Sequence, residues 1–320
     1  MNGKPAILGQ KKLTPYYARY RQMLCRDDET LDQRLRAGGV ASVSSFWELV
    51  EQFDALFFDA FGVLNVGRKP IPGAAATLKK LKAMGKRYRI VSNNASQSPE
   101  KLELRFKDMG FEIAKEEIVS SGMAVIPFMA TTDLQGKPYY MVGTADSRGS
   151  YAPNPEQLLV SHDGNALSWR DAESIIMCSN RDYYVTEQRE EVDTLLQEKQ
   201  CPILLANPDL VAPESDGRLN AVAGYTTMEL SEQFDMPIIG CGKPFTPIFT
   251  LALSTLDDSV DPEKILMVGD TLDTDILGGA AMGFKTCLTL SGVYQGEEET
   301  LPLLYEARGI RPDYVVASIA

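Results

Sequence analysis

The stretch Phe53-Asp54-Ala55-Leu56-Phe57-Phe58-Asp59-Ala60-Phe61-Gly62-Val63-Leu64 decides how the rest of the chain is read. An apolar run ends in a carboxylate, and a glycine follows three residues later. Leu56, Phe57 and Phe58 read as a buried strand, because the run is too short for a helix and rich in aromatics. Asp59 then stands at the carboxyl end of a strand, where open α/β sheets form their ligand crevices. A carboxylate in that place can be a nucleophile or a metal ligand. Taken alone, an Asp in a strand-to-loop turn is the plainer reading, so the other segments must decide.

Downstream, Pro70-Ile71-Pro72-Gly73 is a loop, and Ala74, Leu78, Leu81 and Met84 recur at helical spacing before Gly85. Tyr88 to Val91 reads as the next strand, ending in Ser92-Asn93-Asn94. Ser98-Pro99 opens a helix whose apolar stripe is Leu102, Phe106 and Met109. Ile118 to Ser120, a helix over 123–129 and a strand at Tyr139 to Gly143 continue the alternation. Strand and helix at such short intervals predict an α/β fold with a parallel sheet.

The rhythm then changes. Ser147 to Asp163 is polar and carries prolines, as a linker does. Short apolar strands at Ser174 to Cys178 and Ile203 to Ala206 flank a charged helix, Thr186 to Lys199. The first pattern resumes around Gly240-Cys241-Gly242-Lys243-Pro244 and a helix bearing Ile248, Leu251, Ala252 and Leu256. Ile265 to Val268 is a strand running into Gly269-Asp270, and a helix from about Thr274 ends near Gly283. The expected division is an N-terminal helical extension at 1–43, a core at 44–143 and 238–320, and an inserted α/β domain at 144–237.

The 320 residues include 44% hydrophobic and 24% charged side chains, as in an ordinary globular protein. A formal net charge of −12 disfavours nucleic acid or an anionic membrane as partner. The cysteines Cys25, Cys178, Cys201, Cys241 and Cys287 are odd in number, widely spaced and without a CxxC pair. Reduced thiols in a cytoplasmic protein are the expectation. Cys241 reads as a small buried residue, although Lys243 stands nearby. His162 is the only histidine, so no histidine metal cluster exists.

Asp59, Ser92, Lys243, and the pair Asp270 and Asp275 all fall at or near expected strand ends, or just before a helix. Each has a plainer reading: a turn cap, a solvated lysine, a helix N-terminal acid. Together they form a set suited to phosphoryl transfer, which needs an in-line attacking group and neutralised oxygens. Hard oxygen ligands such as Asp59 and Asp270 suit Mg2+.

With these motifs in view, the chain resembles the haloacid dehalogenase (HAD) superfamily, specifically its class IIA phosphatases with a large α/β cap. That group includes p-nitrophenylphosphatase-like, sugar phosphatase and ribonucleotide monophosphatase enzymes. The matching stretches are FFDAFGVLNVG (Phe57 to Gly67), IVSNNAS (Ile90 to Ser96), GCGKP (Gly240 to Pro244) and MVGDTLDTDILGGAAMG (Met267 to Gly283). The resemblance implies a Rossmann-like core and an inserted cap at 144–237 that chooses the leaving group. It implies that Asp59 attacks phosphorus and that Mg2+ is held by Asp59, Asp270 and the backbone oxygen of Phe61. Asp275 would hold or orient the metal's shell. Ser92 and the backbone at Asn93 would donate to phosphate, and Lys243 would offset charge. Asn207 and Asp209, in an Asn-Pro-Asp stretch of the cap, would face the substrate; a simple turn is the plainer reading there. A homodimer through the cap or the N-terminal arm is a further expectation.

One position departs from the family. Its first motif usually reads Asp-x-Asp, and the second Asp protonates the leaving alkoxide and later activates water. Phe61 stands there and cannot transfer a proton. Loss of such a group typically costs about 10² to 10⁴ in rate. Two readings follow: a phosphatase on a small phosphorylated metabolite, or a phosphometabolite-binding regulatory protein with weak turnover.

Overall fold

Every residue of Ala55–Phe58 is buried in a computed structural model that describes residues 6–26, 28–147, 158–159, 168–184, 186–213, 219–256 and 259–320. In chain order the strands are β1 (Ala41–Ser42), β2 (Ala55–Phe58), β3 (Asn65–Val66), β4 (Lys69–Pro70), β5 (Arg87–Ser92), β6 (Ile118–Ser120), β7 (Tyr139–Val142) and β8 (Leu158–Leu159). There follow β9 (Ser174–Met177), β10 (Ile203–Leu205), β11 (Val211–Pro213), β12 (Leu219–Ala221), β13 (Ile238–Gly240), β14 (Ile265–Gly269), β15 (Lys285–Thr289) and β16 (Tyr314–Val316).

A seven-stranded sheet runs β1-β16-β15-β14-β2-β5-β6. β2 lies inside it, parallel to β14 with Phe57 opposite Met267 and parallel to β5 with Phe57 opposite Arg89. Both faces of β2 are covered, which is why its sequence is continuously apolar rather than alternating. Phe58 points into a cluster with Phe46, Leu78, Leu81, Leu102 and Phe106. Phe57 meets Phe284 edge-to-face at 5.6 Å. The helix Ala74–Ala83 buries Ala74, Thr77, Leu78 and Leu81, whereas Met84 lies past its end and is largely exposed. The helix Pro99–Asp108 buries Leu102 and Phe106 at the spacing read from the sequence.

The N-terminal segment differs from the separate extension expected at 1–43. It forms helices Ala6–Cys25 and Glu29–Ala37, the second capped by Asp28, whose carboxylate accepts from the Thr30 and Leu31 N–H groups at 2.9 and 3.2 Å. Leu31 and Leu35 are buried among Leu272, Ile276 and Leu277, and Tyr20 stacks edge-on against Phe245 at 5.2 Å. β1 closes one edge of the large sheet by pairing with β16. Residues Gln10–Ser92, Glu100–Val119 and Pro244–Ala320 form one compact unit. An i,i+4 leucine pair diluted by charged neighbours is a weak pattern, and only tertiary packing gives it weight.

The other unit is built mainly from Asn93–Pro99 and Ser120–Lys243. Its five-stranded sheet runs β13-β10-β9-β7-β8, with all pairs parallel. Here too the boundary moves. The expected division gave residues 139–143 and 238–240 to the core, but β7 and β13 belong to this second sheet. Short apolar parallel strands look alike in sequence, so pattern cannot tell which sheet a strand joins. The charged helix Gln188–Lys199 lies on this unit and buries Val192, Leu195 and Leu196. The linker expected over Ser147–Asp163, with His162, lies almost wholly outside the described residues. Among the described residues no helix is long and apolar enough to cross a membrane.

Candidate active site

The ladder between β2 and β14 runs one rung past the strand: the Asp59 N–H donates to the Val268 carbonyl at 2.9 Å. Asp59 is therefore held at the carboxyl end of an inner strand, and Asp270 follows directly on β14 beside it. The chain then turns tightly. Leu64 and Asn65 both donate to the Ala60 carbonyl, and the Gly62 N–H donates to Asn65 at 2.8 Å. Gly62 has φ +78°, a conformation that L side chains avoid. A Cβ there would also come within 1.9 Å of Asp270 Oδ2, and a Cβ at Gly292 would do the same. These two glycines form a cradle that only a bare backbone can build around Asp270.

Asp275 reaches the same place by another route. A single π-helical turn, Leu272–Ile276, follows the strand. Such turns recur at functional sites because they shift side chains out of α-helical phase. The Asp275 carboxylate accepts from the Thr271 N–H at 3.1 Å, and its Cβ packs where a side chain on Gly269 would otherwise stand. Carboxylate oxygens of Asp59, Asp270 and Asp275 all lie within 4.8 Å of one another. Asp270 and Asp275 are 2% and 0% exposed.

Three close carboxylates with little water are mutually repulsive. Burial, then the charges of Asp59 and Asp275, push the Asp270 carboxyl well above the usual carboxylate range. The Val293 N–H and the Thr271 hydroxyl, at 2.9 and 3.0 Å, pull it back only in part. A hard divalent cation among these oxygens would remove the repulsion, and the donor set fits one. Asp273, between the two ligand candidates in sequence, stays out of the trio. It is buried, 3.7 Å from the Arg308 guanidinium, and pushed up to about 6 by desolvation.

Ser92 ends β5 and is half-buried, and Asn93 follows it. Asn93, Asp209 and Lys243 form a second group, in the unit of the five-stranded sheet. The Asn93 carboxamide accepts from the Lys243 N–H at 2.7 Å and donates to the Lys243 carbonyl at 3.0 Å. It also donates to Asp209 Oδ1 at 2.8 Å. Asn207 turns inward, its Oδ1 accepting from the Asp209 N–H at 3.0 Å, so the Asn-Pro-Asp stretch is an Asx turn. Lys243 is 2% exposed, which for a lysine is uncommon. Cys241 is fully buried, and desolvation pushes its thiol up to about 12, so it is no reactive thiolate.

The sequence reading missed Ser291, Gly292 and Val293. They form the loop after β15, where Ser291 donates to the Gly62 carbonyl at 2.7 Å and Val293 to Asp270. The signal was available in part: β15 is a further strand of the same parallel row, and its carboxyl end falls beside those of β2 and β14.

Comparison with known proteins agrees with this geometry. A haloacid dehalogenase-like hydrolase model matches residues 56–151 and a HAD-hydrolase-like model matches 240–320, together more than half of the chain. The chain belongs to the haloacid dehalogenase-like hydrolases. Within them it is a class IIA phosphatase-like hydrolase, with a Rossmann-like core. It is 29% identical to mouse (Mus musculus) chronophin over 90% of this chain and 96% of that protein. It is 27% identical to a 4-nitrophenylphosphatase of Schizosaccharomyces pombe over 88% and 97% of the two chains. Among solved structures it resembles a possible sugar phosphatase from Cytophaga hutchinsonii, with TM-score 0.76 and 28% identity over 87% of this chain and 98% of that one.

Proposed function

We propose that the protein is a Mg2+-dependent phosphomonoesterase that acts on a small phosphorylated metabolite, such as a sugar phosphate or nucleotide, through an aspartyl-phosphate at Asp59. The observation that carries this reading is the convergence of Asp59, Asp270 and Asp275 at adjacent strand ends, with Asp59 at the end of the inner strand. Phosphatase names among relatives that match nearly their whole length support it.

In this reading an Asp59 oxygen attacks phosphorus, the ester P–O bond breaks, and the alcohol leaves with a proton taken from water or substrate. Water then attacks the acyl phosphate, inorganic phosphate departs, and the Asp59 carboxylate is restored. Asp59, Asp270 and the Phe61 backbone oxygen hold Mg2+, and Asp275 orients its shell. The ion, when bound, neutralises charge on the transferring oxygens. Ser92 and the Asn93 backbone N–H donate to phosphate, and Lys243 supplies a fixed positive charge. The unit of the five-stranded sheet is the inserted cap and selects the leaving group.

Purified protein incubated with p-nitrophenyl phosphate or acetyl phosphate should release phosphate with Mg2+. Chelation by EDTA should lower that rate at least about 100-fold, and added Mg2+ should restore it. Full activity in EDTA would exclude the metal-assisted reaction. A second reading has one residue in its favour. Phe61 removes the usual proton donor, and a regulatory protein that binds phosphate esters needs none. Tight ester binding with no turnover across a broad phosphate panel would select it.

A further inference from the structure

Asp209 and Asn93 are far apart in sequence, and both are far from or outside the Lys243 motif, yet hydrogen bonds join all three. The Asn93 carboxamide pairs with both main-chain groups of Lys243, as a neighbouring strand would. Its remaining Nδ2 hydrogen goes to Asp209. Only one orientation of the amide meets these demands, because the Lys243 N–H needs an acceptor while its carbonyl and the Asp209 carboxylate need donors. Both Asn93 hydrogens are thereby used, so the side chain has none left for phosphate, and only its backbone N–H can serve there.

Asp209 is itself tightly held. Asn207 Oδ1 accepts its N–H, and Gly224 donates to its carbonyl at 3.0 Å. A Cβ on Gly224 would strike the Pro208 and Asp209 carbonyl oxygens at 2.4 Å. A Cβ on Gly242 would strike Pro208 Cδ at 2.5 Å and Asn93 Oδ1 at 2.7 Å. Two glycines thus let the Asx turn, the carboxamide and the lysine loop approach within contact distance.

We propose that Asp209 is a positioning residue for Lys243, acting through Asn93, and not a substrate contact. This rests on the phosphatase reading, in which Lys243 is the fixed cation of the reaction. Asp209 sets the Asn93 amide, the amide sets the Lys243 backbone, and the backbone aims the ammonium. Small misplacement of a charge-stabilising group costs up to about 10² in rate.

The test uses Asp209→Ala and Asp209→Asn in the full chain with two readouts. The first is hydrogen exchange at the Lys243 amide, which needs no turnover. The second is steady-state kinetics on p-nitrophenyl phosphate and one alkyl phosphate. Asp209→Ala should speed exchange at Lys243 at least about tenfold, by loosening its acceptor. It should lower kcat about 10- to 100-fold on both substrates, with KM changed less than about threefold. Asp209→Asn keeps an oxygen that accepts the same N–H and should lie within about threefold of wild type in both readouts. Equal damage from the two variants, a KM effect that depends on the leaving group, or unchanged Lys243 exchange in Asp209→Ala would overturn the proposal. Should wild-type protein turn over no ester while exchange responds as described, the positioning of Lys243 stands and the phosphatase reading falls.

Discussion

Asp59→Asn is expected to lower p-nitrophenyl phosphate turnover by at least about 10⁴-fold, because the attacking oxygen is replaced by an amide that cannot form the acyl phosphate. The change is nearly isosteric. The backbone bond from Asp59 to Val268 and the buried strand before it do not depend on the side chain. The fold should therefore survive, and a thermal melt on the same sample checks this. The variant also removes one of three crowded charges, which relieves the repulsion on Asp270 but weakens cation binding. Calorimetric titration with Mg2+ separates the two losses. If saturating Mg2+ restores more than a few per cent of the rate, Asp59 is a ligand only and the covalent route is wrong.

Phe61→Asp is the second large effect, and its sign is a gain. Phe61 follows Asp59 by two residues in a loop fixed at its other end by Gly62, with Ser291 and Asn65 bonded to Gly62's backbone. A carboxyl group there would restore a proton donor on a scaffold that already holds the turn. Aryl esters with good leaving groups need little help from an acid, while alkyl esters need much. The expected result is a rise of about 10² or more in kcat/KM for a simple alkyl phosphate such as glycerol phosphate, and under about tenfold for p-nitrophenyl phosphate. Unchanged alkyl turnover in a folded, Mg2+-binding variant would mean that proton transfer is already supplied by another group or that the site lacks more than an acid.

The sequence showed the strands before Asp59 and Asp270 because each is a short apolar run closed by a polar residue, the signature of covered parallel strands. By contrast, β5 carries Arg87 and Arg89 and declared itself only through Tyr88, Ile90 and Val91. Asp270 and Asp275 could be paired by spacing, but not that a π-helical turn brings them together while Asp273 turns away to Arg308. Gly62 read only as a glycine after the strand and Gly292 went unread; their need appears only when Asp270 is seen against them. The role of Asp209 was illegible for a similar reason. An Asn-Pro-Asp turn signals itself locally, while its bond to Asn93 spans more than a hundred residues of chain. The N-terminal helices were undervalued because Leu31 and Leu35 sit among charges and declare their burial only through the surface they meet.

The order of strands in the large sheet sets a timetable for synthesis. Ala41 pairs with Tyr314, and β2 pairs on one side with the nearby β5 but on the other with β14, Ala55 opposite Ile265, so β1 has no partner and β2 only one until the last part of the chain is made. The five strands of the second sheet, β7 to β10 and β13, need nothing later than β13 to complete it. Domains tend to fold as units during translation, and contacts distant in sequence form late. A nascent chain stalled at about residue 280, with β13 clear of the exit tunnel and β14 still inside it, should resist protease across the unit of the five-stranded sheet while Phe57 and Phe58 remain open to chaperones and cleavage. Early protection of residues 55–92 in that stalled chain would refute the order.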